Sequence, residues 1–196
     1  MKKILLMAAI VLSSLSAKAQ TEPGTFTLMP KVGLNMATMT NADDAKMKAG
    51  AVAGVEAEYR VSNLLGVSAG VLYSMQGTKY SEGDYSDKYL MDYINIPILA
   101  NFYVWKGLSL SAGIQPGFLV SAKNKWDFGD GDEGDVDIKD ACESFDFSIP
   151  VGAAYEWNDF VLGVRYNIGV TGIFKEAEEN SNNGVLAITL GYKFAL

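Results

Sequence analysis

The chain has 196 residues, a formal charge of -7, one cysteine and no histidine. So acidic a protein is a poor binder of nucleic acid, a lone Cys142 cannot form an internal disulfide, and the catalytic base or relay that histidine usually supplies is missing. With no serine in a recognisable nucleophile motif either, the expectation is a protein that is not an enzyme, with no catalytic residue and no cofactor.

At the amino terminus, Lys2 and Lys3 precede an apolar run from Ile4 to Leu12 and a Ser-rich stretch closing on Ala17-Lys18-Ala19. This is the pattern of a secretory signal peptide, residues 1–19, ahead of a mature domain spanning 20–196. No later stretch nears the roughly 18 apolar residues of a membrane-spanning helix, and no lipobox cysteine is present. The chain is expected to be exported without a helical or lipid anchor.

From there on, large apolar residues fall at every second position: Phe26 to Met36, Ala51 to Tyr59, Val67 to Met75, Ile94 to Val104, Leu108 to Val120, Phe145 to Trp157, Phe160 to Val170 and Leu186 to Leu196. A period of two means strands with one apolar face. The connections alternate as well. Short turns fall at Val61-Ser62-Asn63, Trp105-Lys106-Gly107 and Asn158-Asp159, and long polar loops near residues 39–48, 79–88, 122–144 and 174–183. Short turns at one rim and long loops at the other predict an all-β, eight-stranded antiparallel transmembrane up-and-down β-barrel with both termini periplasmic. A faint repeat between residues 95–113 and 148–166, each an Ile-Pro start, a tight turn and a fresh alternating strand, fits one hairpin copied from another.

Parity assigns the large apolar set to lipid. The opposite set carries Lys31, Glu56, Glu58, Arg60, Asp146, Glu156, Arg165 and Lys193. In a narrow barrel these four acids and four bases should pair, because an unpaired buried ion is expensive. A filled interior of this kind reads as a structural plug, with a proton or ion pathway as the alternative. Aromatic girdles are expected where lipid meets water: Tyr59, Trp105, Trp157, Phe160, Tyr192 and Phe194 at the lower rim, and Tyr80, Tyr89, Tyr93, Phe145 and Phe174 at the upper. Pro30, Pro97, Pro116 and Pro150 lie within strands, and each removes a ladder donor; bulges are the expected remedy, with a local change of parity.

The loop "NKWDFGDGDEGDVDIKDACE" (124–143) is densely acidic. Asp130, Asp132, Asp135 and Asp137 are its candidate calcium ligands. The spacing matches a calcium loop only in part and lacks the closing bidentate Glu, so the plainer reading is a solvated, repulsive loop. Cys142 reads as an incidental loop residue rather than a reactive thiol.

"GVLYSMQGTKY" (70–80) and "YLMDYINIPILANFYV" (89–104), a first strand "PKVGLNMATM" (30–39) and an ending of the "LGYKF" type resemble the PorT-like outer-membrane β-barrel proteins of Bacteroidetes across the mature chain, although Asn95 stands where that pattern has Glu or Gln. The resemblance implies residence in the outer membrane of a Gram-negative bacterium. The partners expected there are outer-membrane lipids and lipopolysaccharide, the barrel insertion machinery, and envelope or secretion proteins; the family takes its name from a member implicated in type IX secretion. On this reading the protein has a structural or interaction role, with an accessory place in secretion, or small-ligand binding or transport, as alternatives.

Overall fold

The computed structural model describes residues 22–42, 44–82, 85–128, 133–176 and 181–196. The expected signal peptide, and Asp130 and Asp132 of the calcium candidates, lie outside them. Among the described residues no helix is long and apolar enough to cross a membrane.

The strands are β1 Phe26–Thr40, β2 Lys46–Arg60, β3 Leu65–Glu82, β4 Tyr85–Asn95, β5 Ile98–Trp105, β6 Leu108–Asp127, β7 Glu133–Asp137, β8 Phe145–Trp157, β9 Phe160–Gly172, β10 Asn182–Tyr192 and β11 Phe194–Ala195. β5 continues the path of β4 between β3 and β6, and β11 continues β10 beside β1. Eight antiparallel staves result, and pairing of β1 with β10 closes the ring. Closure matters because lipid cannot satisfy a free sheet edge. The short turns are as read from the sequence, and Gly107 (φ 74°) and Asn158 (φ 53°) supply the left-handed residues that let them reverse in so little chain.

Parity follows the sequence pattern throughout the band. Val32, Leu34, Val71, Leu162 and Ile188 face outward, while Lys31, Asn35, Glu56, Ser68 and Asn167 are buried inside. The prolines, however, do not cause bulges. Ile96 N–H still donates to the Pro116 carbonyl at 2.8 Å and Gly70 N–H to the Pro97 carbonyl at 3.0 Å. Each proline forfeits one bond of a reciprocal pair while the register runs on unbroken. Register shifts instead fall between Met47 and Val52, Asp92 and Tyr93, Tyr103 and Trp105, and Asn182 and Gly184.

Strands extend well into three of the segments expected as long loops, over residues 46–48, 79–82, 85–88, 122–127 and 133–137. β3 has 18 residues and β6 has 20, against the roughly 9–11 that cross a bilayer. The excess rises above the membrane as a sheet ordered β2-β3-β4-β6-β7, with β7 folded back on β6 over Lys123–Asp127.

Candidate functional site: a doubly closed lumen beneath an extracellular sheet

The lower lumen is built by charges that strand parity points inward. Glu56 receives Lys31 Nζ at 2.6 Å and Arg165 Nη1 at 2.9 Å. Lys193 Nζ reaches Glu156 at 2.6 Å and Glu58 at 3.5 Å. Glu58 is held further by Asn101 Nδ2 at 2.7 Å and by the Tyr103 hydroxyl. Six of the eight charges expected in the interior therefore form one plug.

The other two do not pair. Arg60, 2% exposed, stacks its guanidinium over the Tyr103 ring at 3.1 Å from the centroid, and its Nε and Nη1 have no hydrogen-bond partner among the described residues. The expectation of complete ion pairing misses this because the aromatic face takes the place of a carboxylate. Asp146 lies toward the other end, beyond the reach of the plug, where neutral donors hold it: Asn183 Nδ2 at 3.0 Å and Thr171 Oγ1 at 3.4 Å.

Above the plug comes a layer of amides and hydroxyls. Asn35 Nδ2 donates to Ser74 Oγ at 2.8 Å, and Gln115 Nε2 to Ser148 Oγ at 3.1 Å. Asn95 Oδ1 and Asn167 Oδ1 are buried without partners, and both residues line a cavity of about 60 Å³. That is room for a few waters.

A third layer caps the extracellular end. Met39, Met91, Tyr93, Leu119, Ala122, Cys142 and Ile173 form an apolar cluster, with Tyr89, Ile138 and Phe174 packed against it. This corrects two expectations. Tyr93 (1% exposed), Tyr89 and Phe174 are not girdle residues; Tyr93 shares the inward parity of Asn95 and Met91. Outside, Phe118 meets Phe145 edge-on at 5.8 Å, and the Tyr73 hydroxyl donates to Asp92 at 2.7 Å. At the lower rim Phe160 meets Tyr192 edge-on at 5.1 Å and Tyr192 meets Phe194 at a tilt at 4.8 Å, as a girdle there is expected to pack. Nor is Cys142 an incidental loop residue: it is fully buried, bridged to Phe174, and burial pushes its thiol above the ordinary value.

Asp135 and Asp137 lie on β7 rather than in a loop. Asp135 pairs with Lys123 at 3.6 Å, and Asp137 accepts from the Lys139 amide at 2.9 Å. Among the described residues no three His, Cys, Asp or Glu side chains gather to hold a metal.

The outer membrane protein beta-barrel domain family matches residues 18–175. The chain belongs to that family. The barrel is thus an outer-membrane protein of a Gram-negative bacterium. Solved structures similar to it include Ail, the attachment invasion locus protein of Yersinia pestis, at 16% identity and a TM-score of 0.51, covering 88% of this chain and 99% of that one. Ail in complex with the heparin analogue sucrose octasulfate matches at 15% identity and 0.53, covering 89% and 100%. Neisserial surface protein A matches at 15% identity and 0.48, covering 89% and 100%. At such identities the likeness bears on the fold alone. No curated protein sequence matches the barrel.

Proposed function

We propose that this barrel is a non-catalytic surface interaction protein, using its membrane span as an anchor and its extracellular sheet as the working part. The observation that carries the reading is the doubly closed lumen. An ion-paired plug closes one end and an apolar cap the other, and among the described residues the cavity that runs from the plug into the amide layer is about 60 Å³, far below the roughly 300 Å³ and upward of small-molecule sites. That cavity is lined by plug charges, amides and hydroxyls, with Tyr103 its one aromatic, and its small volume argues against the alternative of a small-ligand transporter.

The sheet, by contrast, ends in an open edge. Among the described residues β7 pairs with β6 alone, so its outer backbone groups are free to take an added strand. The partner on this reading is a protein with an extended segment, in keeping with an envelope or secretion complex. The PorT-like resemblance supports a narrower version, an accessory component of protein secretion. The closing Tyr192, Phe194 and Leu196 support recognition by the insertion machinery during assembly.

The test is a photo-crosslinking residue at exposed Glu133 in native outer membranes, compared with one at Lys106 in the opposite rim. Adducts of fixed composition are expected from position 133. Of Asp135 and Val136, neighbours whose amides point to opposite edges, one substitution by proline should abolish them. Adducts that persist in both proline variants, or that are absent from the start, would overturn the reading.

A further inference from the structure

The strand extensions bring together four lysines that are far apart in sequence. Lys46 stands directly opposite Lys79 across β2 and β3, Lys79 opposite Lys88 across β3 and β4, and Lys88 opposite Lys125 across β4 and β6. Directly opposed residues share a face, with Cβ atoms only about 5 Å apart. The row therefore sets four like charges across about 15 Å of one sheet face. Lys46, Lys88 and Lys125 are exposed and Lys79 is half-buried.

Like charges in direct opposition destabilise a sheet; Asp127, Glu133 and Asp135 stand beside the Lys88 and Lys125 end of the row, and Lys46 Nζ donates to the Ser81 carbonyl at 2.7 Å. Among the described residues none of the four takes part in an ion pair. Asp135, directly opposite Lys125, turns diagonally to Lys123 instead. One step higher on the same face, Ser81 and Ser86 stand opposite one another and add two hydroxyl donors.

That face is the outward one. On β3 it continues Val67, Val71, Tyr73 and Met75, all exposed to lipid, and Lys79 follows Met75 by four residues. At about 3.3 Å per residue and a tilt near 40°, the row lies about 10 Å above the end of the apolar band. The headgroup layer of a bilayer is about 5–8 Å deep on each side, so the row stands at its outer edge, from which long lysine side chains can reach back into it.

We propose that the Lys46-Lys79-Lys88-Lys125 row is a docking site for the phosphate groups of outer-leaflet lipid, which in a Gram-negative outer membrane is lipopolysaccharide. Ammonium groups spaced by a sheet repeat present a line of point charges to a phosphorylated headgroup, whose acyl chains lie along the apolar wall directly below. A bound phosphate anion lowers the mutual repulsion of the neighbouring lysines. The site is independent of the β7 edge and of any protein partner.

The experiment places the intact barrel in phosphatidylcholine nanodiscs containing either bisphosphorylated lipid A or its fully dephosphorylated counterpart, and reads the lipid retained by native mass spectrometry. The wild-type barrel should retain the bisphosphorylated form on the order of tenfold or more over the dephosphorylated one, and raised salt should erode that preference. The combined Lys79→Gln, Lys88→Gln, Lys125→Gln variant should lose it, and the corresponding Arg variant should keep it. Excess inorganic phosphate should displace little, because a soluble anion lacks the acyl chains. No preference in the wild-type barrel, a preference unchanged in the Gln variant, or displacement by inorganic phosphate that identifies a soluble anion as the ligand would each overturn the proposal. The wild-type comparison decides the matter even if the Gln variant fails to fold.

Discussion

Replacing Glu56 by Gln removes the one carboxylate that neutralises two buried cations. Lys31 and Arg165, with side chains 7% and 16% exposed, converge on it at 2.6 and 2.9 Å. Removing one partner of a buried pair costs about 3–5 kcal/mol, because the charge left behind is uncompensated. The Gln side-chain oxygen still accepts one of the hydrogen bonds, which puts the expected loss near the lower figure, about 3 kcal/mol or more than a hundredfold in the folding equilibrium. Equilibrium urea titration in detergent micelles, read by tryptophan fluorescence, measures it. A triple replacement, Lys31→Met, Glu56→Leu and Arg165→Met, removes both the charges and their desolvation penalty, so it should lie within about 1 kcal/mol of wild type or above it. A Glu56→Gln variant that loses less than about 1 kcal/mol, or a triple variant that loses as much as the single one, would refute the plug as a set of mutually dependent buried charges.

Three further outcomes follow from the layered lumen. In planar bilayers the protein should show negligible conductance, since both the plug and the cap close the path; stable single-channel openings would contradict that closure. Native Cys142 should resist iodoacetamide at pH 8 and react fully in urea. Because burial holds its thiol above the ordinary value, the unfolded chain ionises first. Native stability should therefore fall as pH rises past the unfolded thiol pKa of about 8.5, and a Cys142→Ala variant should lose that pH dependence.

The sequence made the membrane span legible because inside and outside impose opposite chemistry on alternate residues. Val71 beside Leu72, or Arg165 beside Tyr166, declares its face without reference to any other strand. Layering along the barrel axis was harder to read. Tyr93 and Phe174 lie near polar loops and look like girdle residues; Tyr93 keeps the inward parity of Met91 and Asn95, but that it caps the lumen depends on its packing with Cys142 and Ile173 from distant segments. Arg60 finds Tyr103 across 43 positions of sequence, a meeting that no local pattern encodes. The lysine row was hidden for a related reason. Lys46, Lys79, Lys88 and Lys125 each fall in what reads as a polar loop, and only cross-strand register turns four unrelated loop residues into a line.

The seam between the first and last strands has its own asymmetry. Pro30 has no amide to give, and Lys193 spends its backbone N–H on the Asp159 carbonyl at 2.7 Å, so the ladder between Lys31–Gly191 and Leu28–Phe194 is interrupted. Ten consecutive pairs above the gap weld the barrel shut; below it, the last residues hang as a separate tab. Hydrogen exchange along this one seam should be graded, fast at Phe194 and Ala195 and slow from Gly191 upward. The terminal aromatic can then swing free of the barrel while the cylinder stays closed, as a latch does on a shut door.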